Sequence, residues 1–205
     1  IYEDQEKYDL CIEELTKAIE LSIDNPLYYS NRGLTYLELE DYEKVLADFT
    51  KAIELDKENP EGYDYRADCY VAMEKYTDAL KDLDKAIDLS PKDPLYLNNR
   101  ADFYKNQENY AEALKDYARV IEISTDSFGT ARAINNRAII YGEQEKYELQ
   151  IDEYTKAIEL SIDDPLSYSN RGLSYRDNLE DYDKAIIDFT KAIELDKENP
   201  ERYDY

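Results

Sequence analysis

Proline recurs at Pro26, Pro60 and Pro94, each 34 residues after the last, and again at Pro165 and Pro200 after two small shifts of phase. A fixed period of this length marks a repeat architecture, in which one short supersecondary unit is copied and each copy buries its apolar face against its neighbours. The rest of the sequence keeps the same ruler. Tyr2, Tyr36, Tyr70, Tyr104, Tyr141 and Tyr175 share one phase, and Tyr8, Tyr42, Tyr76, Tyr110, Tyr147 and Tyr182 share another. A third phase holds small side chains, Ala18, Ala52, Ala86, Ala157 and Ala192, with Val120 at the remaining copy.

Inside one period the apolar spacing is helical. Tyr63, Ala67 and Tyr70 follow one another at four and three residues, and Ala79, Leu83 and Ala86 do the same one helix later. Asn25, Asn59, Asp93, Asp164 and Asn199 stand directly before the prolines. An oxygen acceptor there satisfies the orphan amides of a helix start, and Pro at the first position loses no hydrogen bond. The pattern predicts first helices at 27–39, 61–73, 95–107, 131–143 and 166–178. It places second helices at 8–21, 42–55, 76–89, 110–123, 147–160 and 182–195. The repeats then run 26–59, 60–93, 94–130, 131–164 and 165–199, with a partial repeat at 1–25 and the start of another at 200–205. Opening and stopping inside a repeat is what a fragment of a longer array would do.

Residues 1–65 also reappear almost unchanged from Ile140 onward, and Thr50 to Pro60 matches Thr190 to Pro200 without a difference. A block of four repeats was therefore duplicated as a unit. Two irregularities interrupt the count: an insertion at Ser124-Thr125-Asp126-Ser127-Phe128-Gly129, and one extra residue near Asn178. Phe128 is read as a plug beneath a lengthened loop, with a partner-contacting loop as the alternative.

Charge narrows the functions. Forty-nine acidic against 25 basic residues give −24, which repels nucleic acid and anionic membrane surfaces and favours basic partners. No apolar run approaches the ~20 residues that span a bilayer. The chain has no His, so imidazole bases and imidazole metal ligands are absent. No glycine-rich phosphate loop or nucleophile elbow is present, and the acid clusters lack the spacing of a calcium loop. Neither an enzyme, a cofactor nor a specific metal is expected. Cys11 and Cys69 are too few for a disulfide framework and are read as reduced core thiols; with no signal peptide visible, the expected location is cytoplasmic.

The segment Tyr29-Ser30-Asn31-Arg32-Gly33, followed by Tyr36, Tyr42, Phe49 and Ala52, resembles the tetratricopeptide repeat (TPR) family, and the likeness covers essentially the whole chain. It implies an all-α fold, a right-handed superhelical solenoid of antiparallel helix pairs. Two departures stand out. The family's usual turn glycine is Glu40, Glu74, Glu108 and Glu145 here, and its usual leucine is Arg32, Arg66, Arg100, Arg137 and Arg171. Such an arginine is expected between helices, with its stem buried and its guanidinium paired to acids such as Asp48, Asp82, Asp116 or Asp188.

The resemblance also implies that first helices line an inner wall. On it fall a ladder of amides, Asn31, Asn99, Asn136 and Asn170, with Tyr65 replacing Asn once, and beside them Asp68, Asn98, Asp102, Arg132 and Asn135. A carboxamide offers donor and acceptor together and can pair with both groups of a peptide bond; the alternative is that these amides only solvate the wall. Glu61, Asp64, Asp68 and Asp102 would favour Lys or Arg in a bound segment. A clamp for the carboxylate tail of chaperones, known among relatives, is not expected, because Glu61 and Tyr65 stand where cations are needed. The leading expectation is a protein-interaction scaffold that takes an extended, basic segment of a protein or peptide. Its rivals are a structural element that self-associates end to end and a substrate-recruiting arm of a larger enzyme.

Overall fold

The computed structural model describes residues 2–198, and these residues are helices joined by short turns. In chain order the helices are α1 (Tyr2–Leu21), α2 (Pro26–Glu38), α3 (Tyr42–Leu55), α4 (Pro60–Ala72), α5 (Tyr76–Leu89), α6 (Pro94–Asn106), α7 (Tyr110–Ile123), α8 (Ser127–Glu143), α9 (Tyr147–Leu160), α10 (Pro165–Asp177) and α11 (Tyr182–Glu198). The expected Asn199 cap and the helix start at 200–205 lie outside the described residues. Two compact units are present, residues 1–99 and 100–205. In the first, helices pack in succession from α1 to α5; in the second, the same succession runs from α7 to α11. Among the described residues no helix is long and apolar enough to cross a membrane.

Helix starts follow the sequence signals. The side chains of Asn25, Asn59 and Asp93 accept the amides of Leu27 (3.1 Å), Glu61 (3.0 Å) and Leu95 (2.9 Å), while Asp164 caps both Leu166 and Ser167. The turns from first to second helix require a left-handed residue, and it is a glutamate each time: Glu40, Glu74, Glu108, Glu145 and Glu180 have φ of 55°, 58°, 57°, 57° and 52°. That conformation costs a non-glycine residue roughly 1–2 kcal/mol. The glutamates therefore hold their turns at a standing penalty.

At Gly33 and Gly172 the first helix meets the second helix of its own hairpin closely. An added Cβ at Gly33 would lie 3.1 Å from the Phe49 ring, and one at Gly172 would lie 2.9 Å from Phe189. Val45, Phe49 and Cys69 form one core cluster of the first unit; Ile158, Tyr168, Ala192 and Leu195 form one in the second. Burial pushes the Cys69 thiol up, as fits an inert core thiol.

The recurrent arginines are held between helices as expected. Arg32, Arg66, Arg100 and Arg171 each fork onto an aspartate of the following helix, Asp48, Asp82, Asp116 and Asp188, through Nε and Nη2 at 2.7–2.9 Å. Arg137 instead donates to Glu153. The guanidinium of Arg66 also lies 5.8 Å from the Tyr63 ring centre and 5.9 Å from that of Tyr70, one turn to either side. Thr16, Thr50 and Thr155 complete the arrangement by accepting Nη1 of Arg32, Arg66 and Arg171, so each of these arginines ties its own hairpin to the one before it.

Three expectations are corrected. Helix α1 begins at Tyr2 and runs without a break past Tyr8, where a turn and a new helix were expected. Cys11 is consequently exposed rather than a core thiol, because the first helix that covers the equivalent Val45 and Ala79 in later hairpins has no counterpart beside it among the described residues. The insertion after Ser124 is not a loop: Asp126 caps Phe128 and Gly129, and α8 gains an extra turn from Ser127. Phe128 sits on that turn at 55% exposure, so it plugs nothing.

Candidate functional site

First helices of neighbouring hairpins touch through polar side chains, and these contacts define the wall on which the expected ligand residues lie. In the first unit, Asn99 on α6 gives its Nδ2 to both carboxylate oxygens of Asp64 on α4, at 3.0 and 2.8 Å. Asp64 is buried, and its carboxyl is pushed above the usual range, first by burial, with the Asn99 hydrogen bond opposing the shift. The amide expected to greet a ligand is thus committed by its donor to a neighbouring carboxylate. Its oxygen remains available.

Tyr65, one residue on, stacks against Phe49 with ring centres 5.5 Å apart and is half-buried on the core side. Asn98 is also half-buried, and its Oδ1 is sealed from solvent without a hydrogen-bond partner. Asn31 is exposed. Solvent reaches Asp68 as well, yet it stands in a wall crowded enough to push its carboxyl up to about 6, first through lost hydration and then through the charge of Asp64. Among the described residues no cation faces Asp68.

The equivalent carboxylate of the second unit has a different setting. Asp102 accepts the Tyr117 hydroxyl, Lys105 Nζ at 2.9 Å and Asn136 Nδ2 at 3.1 Å, while Arg132 approaches its other oxygen at 3.9 Å. Tyr117 is fully buried, and burial, then the hydrogen bond to Asp102, drives its ionisation upward, so the phenol serves as a fixed donor. Asn136 is doubly used, because its Oδ1 also accepts from Lys105 at 3.4 Å. Asn135 is withdrawn from solvent. It donates to Ser167 Oγ at 2.7 Å, and Ser167 in turn donates to Asp164 at 2.6 Å. Asn170 is half-buried and lines two cavities of the second unit.

The structure thus brings Asn99 beside Asp64, and Asn136 and Arg132 beside Asp102, and buries Asn135, which lines a cavity together with Arg132 and Asn136. Sequence reasoning missed Asp64 as the acceptor of Asn99 and Tyr117 as a donor to Asp102. The 35-residue separation of Asn99 and Asp64, about one repeat, was the signal that could have exposed the first; Tyr117 lies 15 residues from Asp102 and carried no such signal.

Stacked two-helix units joined by arginine bridges, with polar first-helix walls, define a helical-repeat scaffold. Four family models described as tetratricopeptide or TPR repeats match residues 26–59, 67–108, 93–163 and 166–199, and the chain belongs to the tetratricopeptide repeat family. Comparison with curated proteins finds no match. Among solved structures, the C-terminal part of a TPR repeat-containing protein from Cytophaga hutchinsonii is similar with a TM-score of 0.74 at 17% identity, over 98% of this chain and 78% of that one. MamA from Desulfovibrio magneticus RS-1 gives 0.67 at 21%, over 84% and 96%. YrrB, described as a TPR protein with an unusual peptide-binding site, gives 0.62 at 21%, over 92% and 95%. At these identities the likeness establishes the fold. Family and fold together make this chain a protein-interaction scaffold.

Proposed function

We propose that this scaffold takes an extended, basic protein segment along the first-helix wall of residues 1–99. The observation that carries the reading is Asp68, an accessible carboxylate that faces no cation among the described residues, beside the Asn99-bound Asp64, whereas Asp102 already has Lys105 at 2.9 Å. A lysine or arginine of the ligand supplies the missing charge, and the free carboxamide of Asn31 and the free oxygen of Asn99 can pair with its backbone. Binding by exposed charges of this kind is modest and weakens with salt.

A titration of the chain with a blocked Ala-Lys-Ala-Lys-Ala-Lys peptide tests it. Saturable binding that Asp68→Asn weakens and added salt suppresses is the expected result. Binding indifferent to both, or equal for the glutamate counterpart of the peptide, overturns it. Asn31→Ala is a cleaner probe of the amides than Asn99→Ala, which would also strip Asp64 of its donor.

A second reading has its own support. Ile186 and Ile193 on α11 are 63% and 56% exposed among the described residues, although Ile53 and Ile158, at the register of Ile193, are buried beneath a following first helix. Self-association through α11 would cover them. Scattering that reports a single monomeric mass at all concentrations, unchanged by Ile193→Lys, counts against this reading.

A further inference from the structure

Residues 100–205 hold an apolar cavity whose existence depends on an irregularity confined to one repeat. The extra first turn of α8, fixed by the Asp126 cap, carries Phe128 to the mouth of a cavity of about 180 Å³. Ala131, Ile139 and Leu166 supply further apolar walls, and Asn135 lines it as well. A dry pocket of roughly 150 Å³ accommodates one benzene-sized group. The volume therefore suits a single large apolar side chain.

Two polar features restrict what that side chain belongs to. Arg132 lines the cavity, its side chain is 63% exposed, and its ionic contact among the described residues is the 3.9 Å approach to Asp102, whose charge Lys105 already meets at 2.9 Å. Arg132 is thus a spare cation on a chain of net charge −24. Asp164, the facing carboxylate, is occupied by the Leu166 and Ser167 amides and the Ser167 hydroxyl, so an incoming acid must stand on the Arg132 side. The second feature is Asn135, only 6% exposed, whose Oδ1 has no hydrogen-bond partner while its Nδ2 is held by Ser167. A buried carbonyl left unpaired is unfavourable, and a small rotation of the carboxamide would offer it to a donor entering the cavity.

We infer that this cavity is a docking subsite for an extended segment of another protein that presents a large apolar side chain next to an acidic residue. The apolar group enters against Phe128 and Leu166, the acid pairs with Arg132, and a backbone N–H of the segment has Asn135 Oδ1 as its acceptor. The subsite is independent of the basic-segment wall of residues 1–99, both in its residues and in the charge it selects.

The test is an NMR titration of the full chain with two blocked hexapeptides, Gly-Ser-Leu-Asp-Gly-Ser and the same sequence with Lys in place of Asp. The Leu-Asp peptide should bind more tightly by about fivefold, the size of one exposed ion pair. Its shifts should centre on the amides of Phe128, Arg132 and Leu166. Phe128→Ala should weaken the binding, and Arg132→Glu should reverse the order of the two peptides; both side chains are more than half exposed, so the fold survives either change. Equal affinities, shifts centred in residues 1–99, or indifference to both substitutions would overturn the inference. None of those results bears on the Asp68 wall, whose own titration reads out separately.

Discussion

Arg66 meets Asp82 through two near-parallel hydrogen bonds, Nε to Oδ2 at 2.7 Å and Nη2 to Oδ1 at 2.9 Å, with both side chains largely withdrawn from water. The forked geometry matches a planar guanidinium to a carboxylate, and the hydrogen bonding raises the arginine's already high pKa. A pair of this kind is weak evidence of net stabilisation, yet losing one member strands the other in a place without solvent. Arg66→Ala should therefore destabilise the chain by about 3–5 kcal/mol. Arg66→Met combined with Asp82→Leu should recover most of the loss. Urea denaturation of the three proteins decides it, and a double variant no better than the single one would show that the charges themselves are needed.

Asn99 donates to both carboxylate oxygens of buried Asp64. Asn99→Ala leaves that carboxylate without its donor, which should cost about 1.5–3 kcal/mol near neutral pH. Because the Asp64 pKa is already raised, removing a group that lowers it raises it further. The deficit should shrink as pH falls and the carboxyl takes up its proton. A deficit that is the same at pH 4 and pH 7 would mean that lost packing, not lost hydrogen bonding, explains the effect.

Asp68 carries the opposite lesson for binding. Its folded carboxyl sits at about 6 against an ordinary 3.8. A raised acid binds its proton more tightly in the folded chain, so its contribution to stability is fully present below the ordinary value and is lost as pH rises through about 6. Asp68→Asn should then be the more stable protein at neutral pH, with the advantage gone below pH 4 in thermal melts. A basic peptide should bind more tightly as pH climbs through the same window, since only the ionised carboxylate attracts it. Affinity that is flat with pH would remove Asp68 from the proposed contact.

The turn glutamates give a backbone prediction. Glu74 holds φ of 58°, a region open to glycine without steric cost. Glu74→Gly should stabilise by about 0.5–1 kcal/mol, the relieved strain being partly offset by the entropy a glycine loses on folding. The same substitution at Glu61, inside α4, should destabilise, which makes it the matched control in a denaturation series.

Much of this architecture was legible because helix periodicity reports which face of a helix is buried. The second helices from Tyr42, Tyr76, Tyr110 and Tyr147 coincide with their expected bounds, and the Arg–Asp partners lie 16 residues apart in three hairpins and 17 in that of Arg171, where the extra residue near Asn178 intervenes. The candidate site was harder to read, because its contacts run between repeats. Asn135 and Asn136 are adjacent, and a rotation of about 100° along the helix separates a buried donor to Ser167 from a half-exposed donor to Asp102. Thr16, Thr50 and Thr155 look like filler in sequence; their role depends on an arginine one hairpin later. Phe128 was misread since the insertion extends a helix rather than a loop, a choice made by the Asp126 cap.

One bridge in this series is incomplete. Arg137 reaches Glu153 within its own hairpin, but the position 16 residues before it, held by Thr in the bridges of Arg32, Arg66 and Arg171, is Ile121, which packs instead against Ala131, Ile134 and Ala157. The junction between α7 and α8 is therefore joined by apolar contact without the polar rivet. Sliding of α8 over α7 therefore breaks no hydrogen bond to a fixed hydroxyl, and the Asn136–Asp102 and Lys105–Asn136 contacts are polar ties between these two hairpins. The load on that junction then falls on its first-helix side, where directional bonds hold it.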